Sequence, residues 1–419
     1  MPGSTTSYPP GSRPATAGAG RADARPGAWR RQTRCVRGGT VRSPHGETCE
    51  ALYLTSGFTY DSAETAEARF AGDEPGFVYS RYANPTVAMF ETRLALIEGA
   101  EACSATASGM AAVTAALLCQ LEAGDRVVAA RTMFGSCNYV LTEVLPRFGV
   151  EIELVDGPDR DAWRAALARP ARCVFFETPA NPTLCLVDIA TVAELAHAAE
   201  ARVVVDNALA TPLLQSPLAL GADVVVYSAT KHIDGQGRCL GGAILGSAKF
   251  RDDLLRPFLR HTGPALSPFN AWLLLKGLET LELRLERQCR TAARLADLLA
   301  GHGAVRRVYY PTRPDHPQVA LAERQMAGGG TLVSFELAGG REAAYALMNA
   351  LALIDISNNL GDSKSLITHP ASSTHRSLTP EQRRRIGVDD ALLRLSVGLE
   401  DARDLADDLT RALDAAPAA

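Results

Sequence analysis

The chain has 419 residues, enough for two domains or for one large domain with a smaller partner, and either can bury its own core. It is 47% hydrophobic and 21% charged with a formal net charge of -4, a balance that gives no electrostatic case for nucleic acid or an anionic membrane surface. No run approaches the roughly 18 apolar residues of a membrane span, and the nine cysteines stand singly, without a C-x-x-C pair for zinc or a redox dithiol.

Residues 1–30 are rich in Pro, Gly, Ala, Ser and Arg without periodicity and read as a disordered extension. They lack the apolar stretch of a secretory signal, and scattered cysteines suit a reducing compartment, so the cytoplasm is the expected location. Residues 31–83 are irregular and read as an extended arm. From residue 84 to 275 short apolar runs alternate with helical patterns. RVVAA (126–130), VEIELV (150–155), RCVFF (172–176), RVVV (202–205), DVVVY (223–227) and GAIL (242–245) are nearly continuous, as in strands covered on both faces. GMAAVTAALLCQL and IATVAELAHAAE between them read as helices. The alternation predicts an α/β fold, a mostly parallel sheet sandwiched by helices. The stretch 270–300 predicts one long helix with Leu278, Leu281 and Leu285 on a single face. It opens a smaller C-terminal α+β domain, 276–419, in which VRRVYYP and TLVSFEL read as strands and DARDLADDLTRAL as a closing helix.

Only four lysines occur among the 43 basic residues, and one of them, Lys231, lies four residues past DVVVY. In open α/β sheets ligands sit beyond the carboxyl ends of the strands. A lysine partly desolvated there loses basicity and becomes a nucleophile toward aldehydes. Ser228 and Thr230 place hydroxyls beside it. In ATASGMAAVTAALL, Ser108, Gly109 and Met110 stand at a helix start, where free amides and the helix dipole favour an anion. Asp206 follows a wholly apolar strand, so its carboxylate needs a partner such as a pyridinium nitrogen. Lysine, anion cradle and strand-end acid agree on pyridoxal 5'-phosphate.

In order along the chain stand VYSRYANPT (78–86), SGMAA (108–112), ETPANPT (177–183), VDNALATP (205–212), YSATKH (227–232), HPASSTH (369–375) and LRLSVGLED (393–401). By these motifs the sequence resembles the fold-type I pyridoxal-phosphate enzymes of cysteine and methionine metabolism, over about residues 34–417. The resemblance implies that Lys231 forms the Schiff base and then shuttles protons, and that Asp206 holds the pyridinium. Ser108, Gly109, Met110, Ser228 and Thr230 would hold the phosphate, joined by Tyr79 and Arg81 from a neighbouring subunit. Phe134 would stack on the ring. Arg394 would clamp the substrate carboxylate, with Asn181 and Asn359 near it. A homo-oligomer with shared active sites, a tetramer, follows from the same resemblance.

The departures from the family pattern narrow the reaction. Phe134 stands where many relatives carry tyrosine, Ser136 where methionine γ-lyase has cysteine, and Asn359 and Lys364 where synthases and lyases commonly have serine and glutamate. These features and KHIDGQGRCLGG are most similar to O-succinylhomoserine sulfhydrylases. They imply γ-replacement of an O-acylhomoserine with sulfide, against the alternatives of cystathionine γ-synthase, cystathionine γ-lyase or O-acetylhomoserine sulfhydrylase. GQGRCLGG is no nucleotide loop, because it matches neither phosphate-loop pattern and leads into a strand.

Overall fold

The computed structural model describes residues 29–417, so the disorder expected of the N-terminal extension falls, up to residue 28, outside the described residues. A seven-stranded sheet is formed by β1 (Ala102–Thr106), β2 (Arg126–Ala130), β3 (Glu151–Val155), β4 (Cys173–Glu177), β5 (Arg202–Asp206), β6 (Val224–Ser228) and β7 (Gly242–Gly246). Their order is β1-β7-β6-β5-β4-β2-β3, and β7 alone runs antiparallel to its neighbours. Alternate residues of the apolar strands feed two separate cores. Val174, Phe176, Val203 and Val205 pack on one face, and Cys173, Phe175, Val204 and Val226 on the other. That is the period-two consequence of a sheet covered on both sides.

The second sheet holds β8 (Val305–Tyr309), β9 (Leu332–Leu337), β10 (Asp355–Ile356), β11 (Leu366–Thr368) and β12 (Leu392–Ser396) in the order β10-β11-β12-β9-β8. Only β10 and β11 pair in parallel. The stretch expected to be one long helix is two, Pro268–Glu279 and Leu281–Ala300, broken where Thr280 leaves helical geometry (φ -111°, ψ 7°). Leu278, Leu281 and Leu285 are all buried, so the apolar face continues across the break. Two glutamines tie the small half to the large one. Gln318 exchanges hydrogen bonds with both backbone groups of Leu186, and Gln325 accepts from the Ile189 amide and donates to the Val187 carbonyl.

The region read as an irregular arm carries two short helices, Arg31–Arg37 and Ala63–Ala71. The second is capped by the Ser62 hydroxyl and stopped by left-handed Gly72, but it buries no residue, so it has no apolar stripe for a sequence pattern to show. The first part of the arm is pinned to its own subunit. Fully buried Arg93 donates to the Gly38 and Leu275 carbonyls and pairs with buried Glu50, whose backbone carbonyl also accepts from the Trp272 indole. Among the described residues no helix is long and apolar enough to cross a membrane.

Candidate active site

β4, β5 and β6 lie side by side and parallel, and end at Glu177, Asp206 and Ser228. Lys231 follows on a turn closed by its amide to the Ser228 carbonyl (3.2 Å), and its Nζ donates to Asn359 Oδ1 at 2.7 Å. Burial, with the positive Arg394 nearby, holds the Lys231 amine down at about 8. Asp206 is buried, its Oδ1 accepting from the Ala208 amide at 3.0 Å, and burial pushes it up to about 6. Asp206 has no ion pair among the described residues.

The helix Gly109–Leu118 begins beside these strand ends. The Ser108 hydroxyl accepts from the Ala111 amide at 3.1 Å and caps it, leaving the first-turn amides of Gly109 and Met110 without intrahelical partners. Gly109 is required by contact: a Cβ there would lie 2.6 Å from the Ser228 Cβ and 2.8 Å from its Oγ. The Thr230 hydroxyl bonds both backbone groups of Gly241, accepting at 3.0 Å and donating at 3.2 Å.

Arg394 reaches over from β12. It is 1% exposed. Its Nη1 donates to Asn181 Oδ1 at 2.9 Å, and its Nη2 to the Asn358 and Asn359 carbonyls at 2.9 and 3.1 Å. It has no carboxylate in salt-bridge range among the described residues, its buried Nε has no partner, and burial lowers its pKa to about 10. A buried guanidinium left with an unpaired N–H has the chemistry to receive a carboxylate. Half-buried Phe134 is fixed by its amide donating to Glu177 Oε2 at 2.7 Å.

Lys231, Asn359, Arg394 and Asn181 thus form one hydrogen-bonded chain at the strand ends, with Asp206, Ser228 and the Ser108–Met110 helix start alongside. Tyr79 and Arg81 are elsewhere on the chain. Both are exposed, Arg81 donates to the Arg260 carbonyl and stacks on the Tyr79 and Tyr82 rings, and neither bonds to the Lys231 cluster within this chain. Lys364 is an exposed residue paired with Asp362 at 2.7 Å. Sequence reasoning gave no role to Glu177, yet the signal that flagged Asp206, an acid ending an apolar strand, is present in RCVFFE as well.

An uncompensated acid, a glycine-walled amide cradle, a lysine of lowered basicity and an orphaned guanidinium fit pyridoxal 5'-phosphate with an amino-acid substrate. Fold and site together define a lysine-anchored pyridoxal-phosphate enzyme. The chain belongs to the Cys/Met metabolism PLP-dependent enzyme family, whose profile it matches over residues 32–414. It is 58% identical over 382 residues to an O-succinylhomoserine sulfhydrylase of Mycobacterium tuberculosis, covering 90% of this chain and 94% of that protein. It is 48% identical over 383 residues to an O-succinylhomoserine sulfhydrylase of Pseudomonas aeruginosa, covering 91% and 95%. Among solved structures, a cystathionine gamma synthase from Xanthomonas oryzae pv. oryzae superposes with a TM-score of 0.88 at 35% identity, covering 92% of this chain and 98% of that one. A Campylobacter jejuni chain described as an O-acetylhomoserine (thiol)-lyase, with N'-pyridoxyl-lysine-5'-monophosphate, gives 0.89 at 32% identity, covering 92% and 100%.

Proposed function

We propose that this enzyme replaces the acyl group of O-succinyl-L-homoserine with sulfide, giving L-homocysteine and succinate. The observation that carries the substrate is the 58% identity to an O-succinylhomoserine sulfhydrylase across 90% of the chain. In this reading Asp206, Ser108, Gly109, Met110 and Ser228 hold the cofactor, joined by Thr230 once its hydroxyl turns from the Gly241 carbonyl, and Phe134 stacks on it. Tyr79 and Arg81, exposed and not bonded to their own cluster, serve the site of a neighbouring subunit. That sharing requires at least a dimer, and a tetramer in the cytoplasm is the assembly we expect. The arm 31–83 makes the intersubunit contact, 84–275 binds the cofactor and 276–419 closes over the substrate.

When bound, pyridoxal 5'-phosphate supplies the electron sink that renders the α and β protons acidic and lets the γ substituent depart. Arg394 fixes the substrate carboxylate through its free Nε edge while Asn181 and the two backbone carbonyls hold its fork still. Lys231 removes the α proton and returns protons at the end. A value near 8 leaves a usable neutral fraction at ordinary pH, and Asn359 Oδ1 aims the amine. Phe134 has no hydroxyl, so the proton work falls on Lys231. Sulfide forms the new C–S bond at Cγ, where succinate has left, and being small it needs no pocket for a second amino acid.

Steady-state kinetics with O-succinyl- and O-acetylhomoserine against sulfide and cysteine tests the proposal. Sulfide with the succinyl donor is expected to give the largest kcat/KM. A strong preference for cysteine would instead make the enzyme a cystathionine γ-synthase.

A further inference from the structure

Asp206 has a companion at its strand end. β4 and β5 pair with Glu177 opposite Asp206. Registered neighbours in a sheet put their side chains on the same face, with strands about 4.8 Å apart. Glu177 is 2% exposed and Asp206 7%, and neither forms an ion pair among the described residues. The charged groups facing Glu177 are Asp206 from β5 and Arg394 from β12. The nearby thiols of Cys137 and Cys185 are kept neutral by burial.

Two carboxylates this close and this dry cannot both ionise, so the pair holds a shared proton. Burial and then the charge of Asp206 push Glu177 well above the carboxylate range, while Asp206 rises only to about 6. Asp206 is the member proposed to face a pyridinium nitrogen, which favours its ionised form, so the shared proton resides on Glu177. Its Oε2 remains an acceptor for the Phe134 amide at 2.7 Å.

We infer that Glu177 is a positioning residue of this site: as the neutral acid of the pair it leaves a single negative charge on Asp206, and it holds the backbone of Phe134. The inference rests on the roles proposed above for Asp206 and Phe134. It assigns Glu177 no contact with the reacting atoms.

Infrared spectra of the holoenzyme and E177Q at pH 8 test the protonation directly. The wild-type-minus-E177Q difference is expected to contain a protonated-carboxyl stretch. A carboxylate stretch in its place overturns the inference. Cofactor dissociation constants give a second reading. E177Q, a neutral amide that keeps the accepted hydrogen bond, should stay within about twofold of wild type and leave the pH titration of the bound cofactor's visible band unmoved. E177A, which removes the acceptor of the Phe134 amide, should weaken cofactor binding about tenfold. An E177Q that weakens like E177A, or that moves the titration, shows the acid acting as a charge and sinks the inference. D206N separates the two levels: unchanged cofactor affinity there defeats the reading of Asp206 itself, whatever E177Q does.

Discussion

Arg394→Lys is the substitution whose cost the structure specifies most fully. The change preserves the positive charge and removes the planar fork. In the native protein the fork satisfies three acceptors, buried Asn181 Oδ1 and the carbonyls of exposed Asn358 and half-buried Asn359, and still has Nε to offer. A single ammonium cannot reach all three and a substrate carboxylate together. One charge-assisted hydrogen bond to the substrate is lost, worth about 1.5–3 kcal/mol, which converts to a rise in KM of about tenfold to a hundredfold. The carboxylate is bound equally in ground and transition states, so kcat should change much less. Leaving buried Asn181 Oδ1 unpaired lowers the unfolding free energy by about 1–3 kcal/mol as well. The assay is steady-state kinetics over a range of O-succinylhomoserine, alongside denaturant unfolding and the visible spectrum of the cofactor, to which the proposal gives Arg394 no contact. A KM within twofold of wild type would refute the assignment of Nε as the carboxylate receptor. Loss of the cofactor spectrum would show that Arg394 acts on the cofactor instead.

The remaining expectations are narrower. Lys231 has a folded-state value of about 8 against 10.5 unfolded, so burying its charge costs about 3 kcal/mol below pH 8, and the cost disappears as pH rises toward 10.5. Cofactor-free Lys231→Met should accordingly be more stable than cofactor-free wild type at pH 7, by a margin that narrows at pH 9.5. A margin independent of pH would contradict the lowered basicity. Gly109→Ala should push the helix start off Ser228 and weaken cofactor binding by at least about tenfold, the cost of about 1.4 kcal/mol of overpacking. Unchanged affinity, read by fluorescence titration of the apoprotein, would mean that the helix start is not the phosphate cradle.

How much of this was legible in the sequence differs by element. β2 and β4 to β7 announce themselves because a strand covered on both faces is apolar nearly throughout, and VVVY or CVFF leaves little choice, whereas β3 (EIELV), read as equally covered, lies half exposed at the sheet edge, which is why it tolerates two glutamates. β1, ACSAT, is just as buried at most positions but is built of small residues tolerated anywhere, so no pattern marks it. β10 and β11 have two and three residues, too few for any period, and their pairing depends on contacts far along the chain. Lys231 and Asp206 could be found because a charge at the end of an apolar strand needs a reason. Glu177 obeyed the same rule and was passed over, since only the register of β4 against β5 reveals two acids in one place. The break at Thr280 was hidden because the apolar stripe runs through it without interruption.

The hydrogen bond between Arg394 and Asn181 joins residues 213 positions apart. Neither half of the chain can therefore possess the proposed carboxylate pocket by itself. The strand-end lysine and its acid partners lie within one continuous stretch of βα units, whose contacts close over short loops, whereas the guanidinium arrives only after the small sheet has formed and docked. During refolding, capture of the cofactor and capture of the substrate become separable events in time. Return of the cofactor's visible colour should precede return of turnover, and the interval between them measures how slowly the two halves of the polypeptide find each other.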